Sequence, residues 1–334
     1  MNTLTKFSIL VLNFNGRKLL DECLNHLEDM RYENKEIIVL DAGSTDGSRE
    51  LVLEKHPYAK IVDLGGNLGY AEANNVGARY AEGEWLVFLN NDAFLKPNWL
   101  IEIERAINQD RLVTAVGGKI YKWSTHEFDS AGAYVDYPLG YGPARGRNRV
   151  DDGSYDEYGE VAYVSGAAMC VHRRKFLEVG GFDKSYKYLH EETDLCWRLR
   201  LRGYKVLYTP KAVCWHIGSY TFKRATLDRS YLVELNRMKT NMKNYAANHL
   251  VIWLFNELIY SVFLFGMAPV GEVYHQLVLA HSKAIAHFLR TLSGTMRSRA
   301  DVQVTRIVSD DVILRLHRRR TIAEIAYDCI GGKN

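Results

Sequence analysis

Several common classes of protein are excluded by what this sequence has little of. The five cysteines (Cys23, Cys170, Cys196, Cys214, Cys329) are odd in number and scattered, and no two form a C-x-x-C pair. Neither a disulfide framework nor a zinc knuckle fits that spacing, so they read as reduced cytosolic thiols, several at core positions. Charge of one sign is not in excess: 43 Lys+Arg stand against 40 Asp+Glu, a net of +3. Nothing in that balance calls for a nucleic-acid partner. The apolar run nearest the start, Phe7–Leu12, is too short for a signal h-region and ends in Asn13-Phe14-Asn15-Gly16, so no export signal is read. Internal repeats and low-complexity tracts are absent. What remains, 334 residues that are 47% hydrophobic and 25% charged, is the composition of a soluble globular chain of about two domains.

Charge is unevenly distributed along the chain. Residues 1–225 carry 29 basic and 31 acidic side chains, and residues 226–334 carry 14 and 9. The second part also holds the most apolar stretch, Leu250 to Val270. This shift in composition sets an expected boundary near Ala225, between a domain of residues 1–225 and a helical extension of residues 226–334.

The first part alternates strand and helix signals. Strands are expected at Phe7–Leu12, Ile37–Leu40, Ile61-Val62, Trp85–Leu89 and Val113–Val116. Between them lie an apolar-periodic helix through Leu19, Leu20, Cys23, Leu24 and Leu27, a small-residue helix over 71–81, and a further helix opened by Pro97. Short strand–helix links of this kind predict an α/β fold, a mostly parallel sheet with helices on both faces. Ligands of such sheets bind at the carboxyl ends of the strands, which singles out Asp41, Asn67 and Asp92. Residues 119–165 are rich in Gly, Tyr, Asp and Arg without a sustained period, and read as loops and short strands forming a flap.

Five segments carry polar chemistry. Asn90-Asn91-Asp92 follows an apolar strand. A carboxylate there can hold a divalent cation on a diphosphate, since magnesium takes one or two protein carboxylates and fills the rest with phosphate and water oxygens; it can equally cap the turn. Asp41-Ala42-Gly43-Ser44-Thr45-Asp46-Gly47-Ser48 links a strand to a helix, with Asp46 placed to cap and Asp41 placed to accept a base N–H. Gly65 to Gly77 packs Asn67, Asn74 and Asn75 among four glycines, Gly69 among them. Close helix–sheet packing explains its small residues but not the paired Asn74 and Asn75. His190-Glu191-Glu192-Thr193-Asp194 opens a helix. Acids there complement the helix dipole, and the paired Glu191 and Glu192 also offer a general base, because like charges raise a carboxyl pKa. His216 ends the apolar run Ala212–Trp215, either as a structural residue or as a metal ligand.

Together and in this order, these segments resemble the family 2 glycosyltransferases, inverting enzymes of the GT-A fold, and especially their rhamnosyltransferase-like branch. The resemblance covers about residues 7–220. Ser8 to Gly16, Asp41 to Ser48, Gly66 to Tyr70, Leu89 to Asp92 and Ser165 to Met169 carry it, followed by Gly180 to Asp183, Glu191 to Arg198 and Gly203 to Val206. It implies that Asp41 contacts uracil or thymine, with Asn13, Asn67, Gly69, Asn74 and Asn75 completing the nucleotide site. Asn90 and Asp92, matching the D-x-D motif, would hold Mg2+ or Mn2+, and His216 would complete the metal or diphosphate site. Glu191 and Glu192 match the acid pair that contains the base, assigned here to Glu192. Two positions depart from the pattern: Asn90 replaces an Asp, which removes a charge, and Glu192 stands where Asp is usual.

The run Leu250 to Pro269 is long enough to span a bilayer, at roughly 30 Å as a helix. Asn256-Glu257 interrupts it, and an unpaired Glu there costs a few kcal/mol. The expected arrangement is a helical extension lying on a membrane, with basic residues such as Arg229, Arg237, Lys239 and Lys243 near anionic headgroups; a helical hairpin packed on the catalytic domain or in a homodimer is the alternative.

The function expected is transfer of a sugar from a UDP- or dTDP-sugar to a hydroxyl of a glycan or lipid-linked acceptor in cell-surface polysaccharide or glycolipid synthesis, at the cytoplasmic face of a membrane. Two rivals stand beside it. One is a glycosyltransferase-like scaffold without turnover, favoured by Asn90. The other is a sugar-nucleotide nucleotidyltransferase, disfavoured because Asn13-Phe14-Asn15-Gly16-Arg17 occupies the place of that class's Gly-rich, basic phosphate loop.

Overall fold

The computed structural model of the chain describes residues 4–218 and 227–329. The boundary expected near Ala225 lies outside the described residues. By its internal contacts the chain divides into two compact units. One comprises the described parts of 1–133, 144–188 and 204–218; the other comprises 134–143, 189–203 and the described part of 219–334.

The first unit is built on a mixed, mostly parallel sheet. Its strands are β1 (Phe7–Asn13), β2 (Lys35–Asp41), β3 (Ala59–Asp63), β4 (Trp85–Asn90), β5 (Ala93–Leu95), β6 (Val113–Lys122) and β7 (Phe128–Ser130). In the second unit, β8 (Val135–Tyr137) follows. The sheet of the first unit is completed by β9 (Gly159–Glu160), β10 (Ala168–His172) and β11 (Lys205–His216). The strand order is β3-β2-β1-β4-β10-β6-β11-β5, with β7 beside β6 and β9 beside β11. The first four strands are parallel neighbours, β10 runs antiparallel to β4 and β6, and β11 is parallel to β6.

Alternation along the strands puts helices on both faces. Phe7, Ile9 and Val11 share one buried core with Ile37, Val39, Val87 and Leu89. Leu20, Cys23, Leu24 and Leu27 of α1 (Arg17–Glu28) and Leu100 and Ile103 of a later helix, Trp99–Ile107, pack into that core. The intervening Leu10 and Leu40 face the opposite side, against the small-residue helix Tyr70–Tyr80. At Gly77 a Cβ would come within 2.6 Å of Leu40 Cδ1, so close packing explains that glycine. β6 extends to Lys122, past the expected strand end at Val116, because β11 pairs with it as far as His216↔Lys122. Cys23, Cys170, Cys196 and Cys214 are buried and outside any disulfide.

The second unit is mainly helical. Numbering on in chain order, after α2 (Ser48–Lys55), α3 (Tyr70–Tyr80), α4 (Trp99–Ile107) and α5 (Arg173–Glu178), it holds α6 (Glu191–Leu201), α7 (Leu227–Asn244), α8 (Ala247–Met267) and α9 (Glu272–Val304). The short α10 (Asp310–Leu314), β12 (His317–Arg319) and α11 (Ile322–Cys329) follow, and β12 pairs in parallel with β8. Arg237 of α7 is fully buried and organises this unit: it donates to both oxygens of Glu257, to Glu234 and to the Leu139 carbonyl. Asn241 donates to the same carbonyl at 2.6 Å, which ties the 134–143 segment to α7.

Candidate active site

Because β2, β1 and β4 are parallel neighbours in register, their carboxyl ends arrive together: Asn13 is opposite Asp41, and Leu12 opposite Asn90. Hydrogen bonds then knit the loops that follow. Asn91 Nδ2 donates to Asn13 Oδ1 at 2.8 Å, and Asn13 Nδ2 donates to Ser44 Oγ at 3.1 Å. The Ser44 amide donates to Asp41 Oδ2 at 3.2 Å. Asp41 is 1% exposed, and its other carboxylate oxygen, Oδ1, is buried without a hydrogen-bond partner among the described residues. A buried acceptor left unpaired costs about 1–3 kcal/mol, so this oxygen is suited to a ligand N–H. Asp46 accepts from the amides of Arg17 and Ser48 and so ties the starts of α1 and α2 together.

The three asparagines of the 65–77 segment separate in role. Asn67 Oδ1 accepts from the Gly69 amide and from Tyr188 Oη. Gly69 has φ +79, and a Cβ there would lie 2.9 Å from the Lys187 carbonyl oxygen, so the turn itself requires glycine. Asn75 donates to the Phe182 carbonyl at 2.8 Å and accepts from the Phe182 amide at 2.9 Å. Its side-chain amide closes on backbone and holds the 180–183 turn, rather than turning towards a nucleotide as expected from sequence. Asn74 is buried, donates to the Tyr70 carbonyl, and keeps Oδ1 without a partner among the described residues.

At the end of β4 and β11, Asp92, Asn90 and His216 converge. His216 Nε2 is 3.3 Å from Asp92 Oδ1 and 3.4 Å from the Asn90 side-chain amide nitrogen. Asp92 Oδ2 accepts from the Gly218 amide at 3.2 Å. On its other side, His216 Nδ1 is 2.8 Å from Asp129 Oδ2. Burial by itself would lower the His216 pKa, but the hydrogen bonds to Asp129 and Asp92 and their charges raise it to about 9. A carboxylate oxygen and an imidazole nitrogen gathered this closely fit a divalent cation, with the Asn90 amide beside them. Asp129 and Asn91 were missed in the sequence reading. Asn91 sits inside the conspicuous triplet and was open to notice, whereas Asp129 lies in the aperiodic 119–165 stretch and carries no local signal.

In the second unit, α6 opens with Glu191, Glu192 and Asp194. Asp194 has a structural explanation: it accepts from Arg198 Nε at 2.8 Å and Asn244 Nδ2 at 3.1 Å, and pairs with Lys243 Nζ at 2.9 Å. Glu191 is buried, and its Oε2 has no hydrogen-bond partner among the described residues. Desolvation, reinforced by the Glu192 charge, pushes the Glu191 carboxyl well above the usual range. Glu192 is half-buried. Leu189 and His190, just before the helix, both have positive φ, 69° and 72°, a conformation that is rare and strained for such side chains.

A mixed, mostly parallel sheet with polar loops gathered at its strand ends defines an α/β fold with a ligand site at the carboxyl ends of the strands. The sequence matches the Glycosyl transferase family 2 profile over residues 8–154 and that of Glycosyl transferase family group 2 over residues 85–292. The chain belongs to the family 2 glycosyltransferases. It is 25% identical over 220 residues to the poly-beta-1,6-N-acetyl-D-glucosamine synthase of Staphylococcus aureus (strain COL), covering 64% of this chain and 50% of the synthase. The Staphylococcus epidermidis enzyme of the same name is 24% identical over 210 residues, 62% of this chain and 49% of its own length. The chain thus spans about half the length of the curated relatives it matches. Among solved structures, GalNAc-T7 with UDP, GalNAc and Mn2+ aligns over 98% of this chain and 58% of its own, at a TM-score of 0.65 and 15% identity. A Pyrobaculum calidifontis mannosyltransferase, PcManGT, with GDP-Man and Mn2+ aligns over 91% and 87%, at 0.52 and 18%. A Staphylococcus aureus TarS fragment with UDP aligns over 90% of both chains, at 0.54 and 16%. These likenesses show the GT-A fold.

Proposed function

We propose that this chain is an inverting, divalent-metal-dependent glycosyltransferase that moves a sugar from a UDP- or dTDP-sugar to a hydroxyl of a glycan or lipid-linked acceptor in cell-surface polysaccharide or glycolipid synthesis, of the rhamnosyltransferase-like branch. The observation that carries this reading is the convergence of Asp92, His216 and Asn90 at the strand ends, at the same end of the sheet as Asp41 Oδ1, which has no partner among the described residues. Asp92, His216 and Asn90 would hold Mg2+ or Mn2+. When bound, the cation offsets the charge of the leaving nucleoside diphosphate. Asp41 Oδ1 accepts the N–H of uracil or thymine, and Asn13, Asn67, Gly69 and Asn74 shape the loops around the nucleotide. Glu192 takes the proton of the acceptor hydroxyl, and Glu191 orients the acceptor or holds the helix start.

We also infer that the outer face of α8 lies against a membrane surface, at its cytoplasmic side. Trp253, Glu257, Tyr260 and Leu264 are buried along one stripe of the helix. Val251, Ile252, Leu254, Phe255, Leu258, Ile259, Val262 and Phe265 are exposed. The carboxylate that interrupts the apolar run therefore faces inward, paired with Arg237, and the outward face is almost wholly apolar, an exposed patch of the kind that marks a membrane or protein contact.

Incubation with a radiolabelled UDP-sugar panel and Mn2+ tests the catalytic reading. Release of UDP, and transfer when an acceptor is supplied, is the expected result. Tight donor binding with no release from any sugar nucleotide would favour a scaffold without turnover, the reading that Asn90 alone supports.

A further inference from the structure

We propose that Asp129 is a positioning residue that fixes the ring orientation and tautomer of His216, so that Nε2 presents its lone pair to the site formed with Asp92. The inference rests on the metal-site reading above and adds to it a residue that no sequence motif marks.

The local fold places Asp129 for this role. β7 is only three residues long, and its ends, Phe128 and Ser130, are both buried. Strand alternation turns the central Asp129 the other way. β6 lies between β7 and β11, pairing Phe128 with Tyr121 on one side and His216 with Lys122 on the other. Asp129 Oδ2 reaches His216 Nδ1 at 2.8 Å. The other oxygen, Oδ1, is 3.6 Å from Arg147 Nη2, a cation that favours the charged carboxylate. The two side chains are 19% and 13% exposed, so water competes weakly for either.

Neutral imidazole has one N–H, and the group that accepts it decides which nitrogen keeps a lone pair. Where a cation takes the place of the Nε2 proton, the N–H that remains is Nδ1–H, held by Asp129, and Nε2, 3.3 Å from Asp92 Oδ1, is left to ligate. A carboxylate behind a ligating histidine holds the ring and raises its basicity, and losing it typically costs about 10–100-fold in metal affinity. Amide or hydroxyl partners would hold the ring less firmly and would allow the opposite tautomer.

The test compares the full-length wild-type chain with Asp129→Asn and Asp129→Ala in the presence of UDP, titrating Mn2+ and reading free Mn2+ by EPR. Pulsed EPR of the bound ion reads the nitrogen modulation of a directly coordinated imidazole. We expect that modulation in the wild type, with Mn2+ affinity about 10–100-fold weaker and the modulation reduced in both variants, while melting temperature and metal-free UDP binding stay put. Wild-type protein that binds Mn2+ without imidazole modulation would overturn the metal-site reading itself. Wild-type modulation that persists at unchanged affinity in the variants would overturn the role of Asp129 alone. Should the variants fail to fold, NMR of the imidazole nitrogens in Mg2+- and UDP-loaded wild type decides: a proton on Nδ1 supports the inference, and a proton on Nε2 overturns it.

Discussion

Arg237 meets Glu257 in a two-point ion pair, Nη1 to Oε2 at 2.6 Å and Nη2 to Oε1 at 2.7 Å. The same guanidinium donates to Glu234, and Trp253 Nε1 donates to Glu257 Oε2 at 3.0 Å. Glu234, Glu257 and His281 lie close enough to hold a metal ion, but Arg237 already supplies the positive charge among them. Removing that cation takes the guanidinium from between two buried carboxylates, leaving Glu257 with the Trp253 N–H and Glu234 with Tyr141 and His281. Arg237→Met should therefore cost about 3–5 kcal/mol of stability, read by urea denaturation. A cost below about 1 kcal/mol, the worth of an exposed pair, would show that this network does not seat α8.

The outward face of α8 gives a second test. Leu258→Glu with Val262→Glu places two charges on exposed positions of that face without touching the Arg237 network. Binding to anionic liposomes should fall sharply, with UDP binding and melting temperature unchanged. Wild-type protein that ignores such liposomes and forms a dimer dissociated by the same substitutions would assign the face to a second copy. Truncation after about Arg224, a position outside the described residues, is a poorer experiment. It removes Lys243 and Asn244, the partners of Asp194 on α6.

At the strand ends, Asp92→Ala should abolish divalent-dependent UDP binding, measured by calorimetry with Mn2+. Asn90→Asp should tighten it, because a second carboxylate joins Asp92 beside His216 Nε2. Equal affinities for wild type and Asp92→Ala would remove Asp92 from the metal site. Weaker metal binding by Asn90→Asp would show that the amide of Asn90 makes a contact a carboxylate cannot.

Asn75 and Asn74 should separate in opposite ways. Asn75→Ala leaves the Phe182 amide and carbonyl without their present partner and should cost about 1–3 kcal/mol of stability, with UDP affinity little changed. Asn74→Ala should weaken UDP binding. Equal losses of UDP affinity in the two would return Asn75 to the nucleotide site.

The acid pair of α6 carries a pH signature as well as a catalytic one. Glu192→Gln should keep donor binding and lose transfer by about 10²–10⁴-fold, read in single turnover; Glu191→Gln should hurt the chemical step less. The folded-state pKa of Glu191 is raised above its ordinary 4.5, so the native state binds that proton more tightly than the unfolded chain does. Its contribution is fully present below pH 4.5 and is lost as pH rises through the folded value. Glu191→Gln should accordingly be more stable than wild type near neutral pH, with the gain in melting temperature shrinking as pH falls towards 4.5. A difference that grows on acidification would mean that Glu191 is ionised in the folded protein. If Glu191→Gln is dead and Glu192→Gln active, the two roles are reversed.

The alternation of short apolar strands with periodic helices was enough to place Asp41, Asn90 and Asp92 at strand ends, since period and turn chemistry are local properties of the chain. The ordered motifs were likewise enough to point to the family. What the sequence could not decide were pairings between distant segments. Asp129 meets His216 only because β7 and β11 flank β6, and neither residue's neighbours announce the other. Asn74 and Asn75 are adjacent and chemically identical, yet helix phase sends one amide to the Phe182 backbone and leaves the other with an open acceptor. The fate of Glu257 was also undetermined, because a helix that is apolar all round has no periodicity to say which way its one acid turns. That was settled by Arg237, whose charge had to be matched once α7 buried it.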